Sequence, residues 1–265
     1  MIQAYYGFKR QPFPKELRIE QMFESFDIKE AFTRLQILKQ NRGLFCLTGE
    51  PGAGKTSVLR RFVEGLNPQM HTHCYTPHST VNRNDLYRQL NTLLKLPPRI
   101  RKSDLFEQIQ RAVTELHVNH GKTPVIILDE AHLMDHETLQ ELILITNFEM
   151  DSKVPFLLVL IGQPDLREKL KRRMHEPLNQ RITLRYHMAG VTSDEEARNY
   201  ILHHLKLAGR NDPLFEEQAI PMIRQLGQGL PRKMGNIANS AMTLGMAKKC
   251  QSISADLVVK ASDGI

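Results

Sequence analysis

The sequence predicts an α/β layered domain, with a parallel sheet between helices, followed by a small helical lid. Three observations carry this reading. Short apolar runs alternate with helical patterns through most of the chain, a glycine-rich loop sits between a strand pattern and a helix pattern, and after about Met188 only helical patterns remain. The expected division is an N-terminal extension at residues 1–24, an α/β core at 25–188 and a lid at 189–265.

Leu44-Phe45-Cys46-Leu47, His73–Tyr75, Val125–Leu128 and Phe156–Ile161 read as strands, the second carrying the weakest pattern. The last two are apolar at successive positions, as in strands covered on both faces of a parallel sheet. Helical stretches lie near Thr56–Gly65, Asn84–Leu94, Lys102–Asn119 and His136–Met150. In the last of these Leu139, Leu142, Ile143 and Thr146 share one face. Beyond Met188 the helices are Ser193–Leu207, Glu216–Leu226 and Pro231–Lys248, with a turn and a short final helix in Gln251–Ile265. Ser193 is placed to cap the first lid helix, and Asp194, Glu195 and Glu196 follow where the helix dipole favours acids. Pro221 restarts or kinks the second, and Gly227 and Gly229 separate it from the third.

Composition narrows the function classes. With 265 residues and 41% hydrophobic content the chain can bury a real core. Its longest apolar runs fall far short of the ~20 residues that cross a bilayer, and no membrane association is expected. The N-terminus lacks a basic stretch followed by an apolar run, so a cytoplasmic location is expected. Cys46, Cys74 and Cys250 are odd in number and widely spaced, which reads as reduced thiols without a metal pattern. Lys plus Arg total 36 against 29 acids, a formal net charge of +7 that favours a polyanionic partner.

Gly49-Glu50-Pro51-Gly52-Ala53-Gly54-Lys55-Thr56 matches G-x-x-x-x-G-K-[ST] in full and lies between a strand and a helix, with Ser57 following in the helix. Glycines let backbone N–H groups wrap phosphates, and the helix N-terminus adds partial positive charge. Lys55 then contacts the β/γ-phosphates of ATP, and the Thr56 hydroxyl ligates Mg²⁺. A second signal is Val125–Leu128 ending in Asp129-Glu130, acids at the carboxyl end of a buried strand. Asp129 is expected to hold Mg²⁺ through water, and Glu130 to act as general base toward the attacking water.

Asp129-Glu130-Ala131-His132 also spells a box found in one helicase class. Further helicase motifs are missing, so His132 reads as a local hydrogen-bonding residue. Gln163, at the end of the strand Phe156–Ile161, is the candidate first sensor of the γ-phosphate or lytic water, with Asn147 as competitor. Arg181 is the candidate arginine finger, Arg185 the second choice, and a surface salt bridge the alternative. Arg232, opening a lid helix, is the candidate second sensor.

With these residues together the chain resembles the ExeA-like AAA+ ATPases. Tyr5-Tyr6-Gly7-Phe8 with Pro12-Phe13 looks like that family's N-terminal signature, and Phe23-Glu24-Ser25, Glu30–Leu35, Thr146–Glu149, Leu160–Leu166 and Gln180-Arg181-Ile182 continue the match. The resemblance implies an AAA+ P-loop ATPase and either of two tasks. Long members assist secretion or pilus assembly in the envelope and carry a transmembrane segment and a peptidoglycan-binding region, neither of which is read in this chain. Short members resemble the transposition ATPases of the TnsC, TniB, MuB and IstB kind. Those form rings or helical filaments of identical subunits on duplex DNA with weak sequence preference, and recruit or activate a DDE transposase. Length, charge and the lack of a span favour the second task.

By that analogy DNA contacts are expected from Ser79-Thr80-Val81-Asn82-Arg83-Asn84 and Pro98-Arg99-Ile100-Arg101-Lys102-Ser103, with Arg83, Arg101 and Lys102 as contact residues. A third basic cluster is Lys169, Lys171, Arg172 and Arg173, open to DNA, transposase or water.

Overall fold

A computed structural model describes residues 2–14, 16–77 and 82–262. The chain runs through α1 (Ile2–Tyr6), α2 (Phe26–Asn41), β1 (Gly43–Gly49), α3 (Lys55–Glu64), β2 (His71–Thr76), α4 (Arg83–Leu93) and α5 (Lys102–Val118). It continues with β3 (Thr123–Leu128), α6 (His136–Ile145), β4 (Leu157–Gly162), α7 (Pro164–Leu170), α8 (Glu176–Arg181) and β5 (Ile182–Met188). Four further helices close it, α9 (Asp194–Leu207), α10 (Ala219–Leu226), α11 (Pro231–Ala247) and α12 (Ala255–Ser262).

The five strands form one sheet in the order β2-β3-β4-β1-β5. The pairs β1–β4, β3–β4 and β2–β3 are parallel. Central β1, β3 and β4 are buried at every position, which is why their sequences are unbroken apolar runs. Register places Thr48 opposite Gly162, Leu128 opposite Leu160 and Thr76 opposite Leu128. Gly49, Asp129 and Gln163 therefore leave the sheet at one edge, the carboxyl edge where open α/β folds carry their sites.

Several sequence expectations change. β5 was not anticipated as a strand, because it lies at the edge of the sheet and alternates exposed with half-buried positions between its buried ends, Arg185 and His187 being exposed. The helix expected to reach Met150 stops at Ile145. Beyond it Glu149, Met150 and Asp151 all adopt positive φ (47°, 56° and 67°), a conformation no helix sustains. Asn147 consequently sits in an exposed turn rather than in mid-helix. In α10, Pro221 lies in the first turn of a helix that begins at Ala219, so it restarts the helix without kinking it.

The chain divides into two compact units. One comprises Ala31–Gly49 and Val58–His187, and holds the sheet. Its core joins Leu44, Ile126, Leu128, Leu158 and Leu160 to Leu86, Leu90, Ile109 and Leu142 of the flanking helices. The other comprises Met1–Glu30, Glu50–Ser57 and Met188–Ile265 over their described residues. There Tyr6, Phe8 and Phe13 share a core with Tyr200, Ile201, Leu205, Met234 and Met242. The sequence reading drew residues 1–24 as an extension apart from the lid, whereas the aromatic residues of that segment are built into the lid's own core.

Candidate nucleotide site

In the lid-bearing unit the glycine-rich loop takes a left-handed backbone course at two points, both of them glycines. Gly52 has φ +88° and Gly54 φ +105°. A Cβ at Gly52 would lie 2.8 Å from the Arg232 Cβ, so the glycine is also what lets α11 approach. The Arg232 N–H points at the Gly52 carbonyl oxygen at 3.4 Å. Ala53 N–H donates to Glu50 O at 3.1 Å and Ser57 N–H to Gly54 O at 3.0 Å, which curls the loop into the first turn of α3. Lys55 is buried and its Nζ donates to Glu50 O at 3.0 Å.

Beside this loop, within the same unit, lies a cavity of about 660 Å³. Its floor includes Gly52, Gly54, Thr56 and Ser57, and Arg232 and Asn236 of α11 border it. Phe13, Pro14, Met22, Phe23 and Ile28 supply an apolar wall from the N-terminal segment. That volume lies within the range of small-molecule pockets, roughly 300–1,000 Å³. Tyr200 and His204 of α9 complete it. His204 stacks on Phe13 with ring centroids 4.9 Å apart, and burial holds its pKa down to about 4, so it is neutral near pH 7. The sequence reading missed the apolar wall. Its only sequence signal was the cluster of aromatic and proline residues before Ser25, whose placement depends on the packing of α9 and α11.

The acids stand in the sheet-bearing unit. Asp129 is buried and follows β3 directly; its N–H donates to Thr76 O at 3.0 Å. The Tyr75 hydroxyl donates to Asp129 Oδ2 at 2.7 Å, and the Glu130 N–H donates to Oδ1 at 2.9 Å. Burial and the Asp129 carboxylate together raise the Tyr75 pKa well above its ordinary value, so this donor keeps its proton. Tyr75 was not foreseen, since only the β2–β3 register reveals that it reaches Asp129. Glu130 occupies the left-handed region (φ 52°, ψ 34°), where a non-glycine residue is uncommon. Its Oε2 lies 3.3 Å from His132 Nδ1.

Gln163 sits at the N-terminus of α7 at the carboxyl end of β4, and its side chain makes no cap bond there. Arg181 ends α8 and its guanidinium pairs with Asp151 at 2.5 Å. Arg185 donates to the Asn179 carbonyl oxygen.

The DNA candidates separate. Ser79, Thr80 and Val81 lie outside the described residues. Arg83 pairs with Glu137 at 2.8 Å with both side chains about half-exposed. Lys102 has an internal partner: its Nζ is bound to Glu141 at 2.5 Å and lies over the Tyr87 ring. Glu141 is buried and also accepts from the Tyr87 hydroxyl at 2.7 Å, so removing Lys102 from it would strand a buried charge. Arg101 is exposed and carries no ion pair among the described residues. In the third cluster Lys169 turns inward to the carbonyl oxygens of His132 and Met134, and Lys171 pairs with Glu168 at 2.8 Å. Arg172 and Arg173 remain exposed.

Comparison with known proteins places this geometry. A family profile described as an AAA domain matches residues 38–170. Over 255 residues, 96% of this chain, the sequence is 29% identical to General secretion pathway protein A of Aeromonas hydrophila, of which it spans 46%. Among solved structures, Cdc6p from Pyrobaculum aerophilum superposes with a TM-score of 0.64 at 17% identity, covering 99% of this chain and 71% of that one. The ADP form of the Aeropyrum pernix ORC2 protein gives 0.61 at 17% identity, with 98% and 72% covered. A point variant of Thermotoga maritima RuvB gives 0.60 at 19% identity, with 95% and 73% covered. At these identities the structural likenesses speak to the fold.

Proposed function

The chain belongs to the AAA-domain family and is an ATPase, and on that premise we propose that it is a nucleotide-switched DNA-binding protein: bound to ATP and Mg²⁺, copies assemble on duplex DNA in the cytoplasm and recruit or activate a DDE transposase. ATP with its metal supplies a phosphoanhydride bond whose cleavage ends the assembled state, and the metal neutralises phosphate charge. Backbone N–H groups of the loop Gly49–Thr56, with Ser57 and the Lys55 ammonium, bind the phosphates. The Thr56 hydroxyl and the Asp129 carboxylate are assigned to the metal, Asp129 held in orientation by Tyr75 and by the Glu130 N–H. Glu130 accepts the proton of the attacking water, Gln163 orients that water, and Arg232 contacts phosphate from the lid. The fit of these residues rests on the left-handed glycines and on the buried Lys55.

Arg181 is assigned to a neighbouring copy's nucleotide. In the free chain it pairs with Asp151, which is about half-exposed while the Arg181 side chain is 20% exposed, so reaching a neighbour's phosphate requires that pair to open.

The observation that carries the DNA reading is the segment before α5. Arg99 and Arg101 are exposed and flank Ile100, which is 88% exposed, on a chain of net charge +7. Two guanidinium groups beside the N-terminus of a helix suit phosphate contacts, which carry no sequence readout of their own. Fluorescence anisotropy on duplex DNA tests this, without nucleotide, with ADP and with a non-hydrolysable ATP analogue, at two salt concentrations. Binding that requires the ATP analogue and weakens steeply with salt is expected. Absence of binding in every condition would favour the second reading, an accessory ATPase of secretion or pilus assembly. That reading is supported by the 29% identity to General secretion pathway protein A along nearly the whole chain.

A further inference from the structure

Ile100 is the apolar point of an arm that is otherwise cationic. It is 88% exposed, and among the described residues only Met150 is a more exposed large hydrophobic residue. It stands between Arg99 and Arg101, both exposed and neither in an ion pair among the described residues. From Leu94 to Ser103 the chain carries Lys95, Arg99, Arg101 and Lys102 and no acid.

Both ends of the arm are fixed within the sheet-bearing unit. After α4, Lys95 takes the left-handed conformation (φ 58°), and the Leu96 N–H donates to Asn91 O at 2.9 Å. Asn91 is buried, and its amide donates to Tyr87 O at 3.0 Å and to Leu105 O at 3.2 Å, which ties α4 to α5. At the other end Lys102 is held by buried Glu141 at 2.5 Å, and the Leu105 N–H donates to Arg101 O at 3.1 Å. Between these anchors Pro97, Pro98, Arg99, Ile100 and Arg101 are exposed in succession. Each proline fixes its own φ and narrows the choices of the residue before it, so the stem is stiff. The chain then bends at Ile100 and Arg101, which puts the isoleucine at the turning point.

We propose that Ile100 is a wedge that enters a base step of duplex DNA from the minor groove, while Arg99 and Arg101 hold the phosphates on either side. This rests on the DNA reading of the segment before α5. An exposed apolar side chain between two cations matches a surface that is anionic at its rims and apolar within. The minor groove is such a surface, with phosphates along its walls and stacked bases between them. Apolar side chains, isoleucine among them, enter steps there, part the bases and kink the duplex. The two anchors shape the arm before DNA arrives, which lowers the ordering cost of binding. A wedge of this kind favours flexible pyrimidine–purine steps without reading a base edge, in keeping with weak sequence preference. An anionic membrane also offers charge beside apolar matter, but one isoleucine is little to hold there, since even a whole myristoyl chain binds only marginally.

The test uses the full chain with a non-hydrolysable ATP analogue and a duplex carrying 2-aminopurine in TA steps, a base whose fluorescence rises when its stacking is broken. The parent is expected to raise that fluorescence about twofold or more at saturation. Ile100→Ser is expected to lose the rise while its affinity falls less than about tenfold and its salt slope stays parental, because no phosphate contact is removed. Ile100→Leu is expected to keep the rise. Parental affinity for a fluorescent ATP analogue confirms that each variant is folded. Binding by the parent without a rise, or an equal rise with Ile100→Ser, overturns the wedge and leaves the DNA reading standing. Absence of duplex binding by the parent removes the DNA reading and the wedge with it. Binding of the parent to vesicles of anionic phospholipid that Ile100→Ser loses, with no rise on the duplex, overturns the wedge and assigns the tip to a lipid surface.

Discussion

At the residue scale, the burden falls on a few side chains whose surroundings set their chemistry. Glu130 is followed in chain by a turn that Lys169 clamps, so its replacement by Gln leaves the backbone in place while removing the carboxylate proposed as the base. Glu130→Gln should lower ATP turnover at least ~100-fold, as for loss of a general base, while nucleotide still binds. Retained turnover in a rapid-quench assay would contradict the assignment. Gly52→Ala should abolish nucleotide binding, because it meets both a positive φ and the Arg232 Cβ at 2.8 Å. His204 offers a pH test. Burial lowers its pKa from 6.5 to about 4, so the unfolded chain binds a proton that the folded chain refuses. Stability from this group is whole above about pH 6.5 and is lost as pH falls toward 4, on the order of 3 kcal/mol in full. Buried His175, also shifted downward by burial, acts in the same direction. Thermal unfolding from pH 7.5 to 4.5 should show the decline, and His204→Phe should flatten it. Cys46 and Cys74 are pushed up to about 12 and about 11 by burial, which makes them inert thiols at neutral pH.

At the element scale, helix ends carry the local signals. Ser193 Oγ accepts the Glu196 N–H at 3.1 Å, the cap that the sequence placed there. Ser193→Ala should cost about 1 kcal/mol in denaturant unfolding. Asp135 and Asn82 cap α6 and α4 in the same manner. The turn after α6 stands apart: Glu149, Met150 and Asp151 are all left-handed, Met150 is 97% exposed, and Asp151 holds Arg181. No apolar period in the sequence announces such a turn, which explains why the helix pattern ran on past Ile145.

At the scale of the whole molecule, charge is the property that reaches beyond the chain. A net +7 is spread over many side chains, and several lysines and arginines are taken up by internal partners: Lys102 by Glu141, Lys169 by two carbonyl oxygens, Arg83 by Glu137. Arg101 is a test of what remains. Arg101→Ala should weaken ATP-dependent DNA binding for all sequences alike and reduce the salt slope by about one. An anisotropy titration over salt that gives the parental slope would exclude Arg101 from the contact. No helix among the described residues is long and apolar enough to cross a membrane.

The chain's α/β class, its phosphate loop, the acid pair after β3 and the cap of α9 were legible in the sequence, because each depends on residues adjacent along the chain. A buried strand shows as an unbroken apolar run, a loop that wraps phosphate needs glycine at set positions, and a helix cap acts within one turn. Edge strand β5 was hidden, since half of its residues face outward and dilute the pattern. Tyr75 on Asp129, His132 between Glu130 and Gln163, Lys102 on Glu141 and the N-terminal wall of the cavity were decided by tertiary structure alone. Each, apart from the local Glu130–His132 contact, joins residues far apart in sequence. Which donor reaches which acceptor is then set by strand register and helix packing, and those depend on burial summed over the whole core.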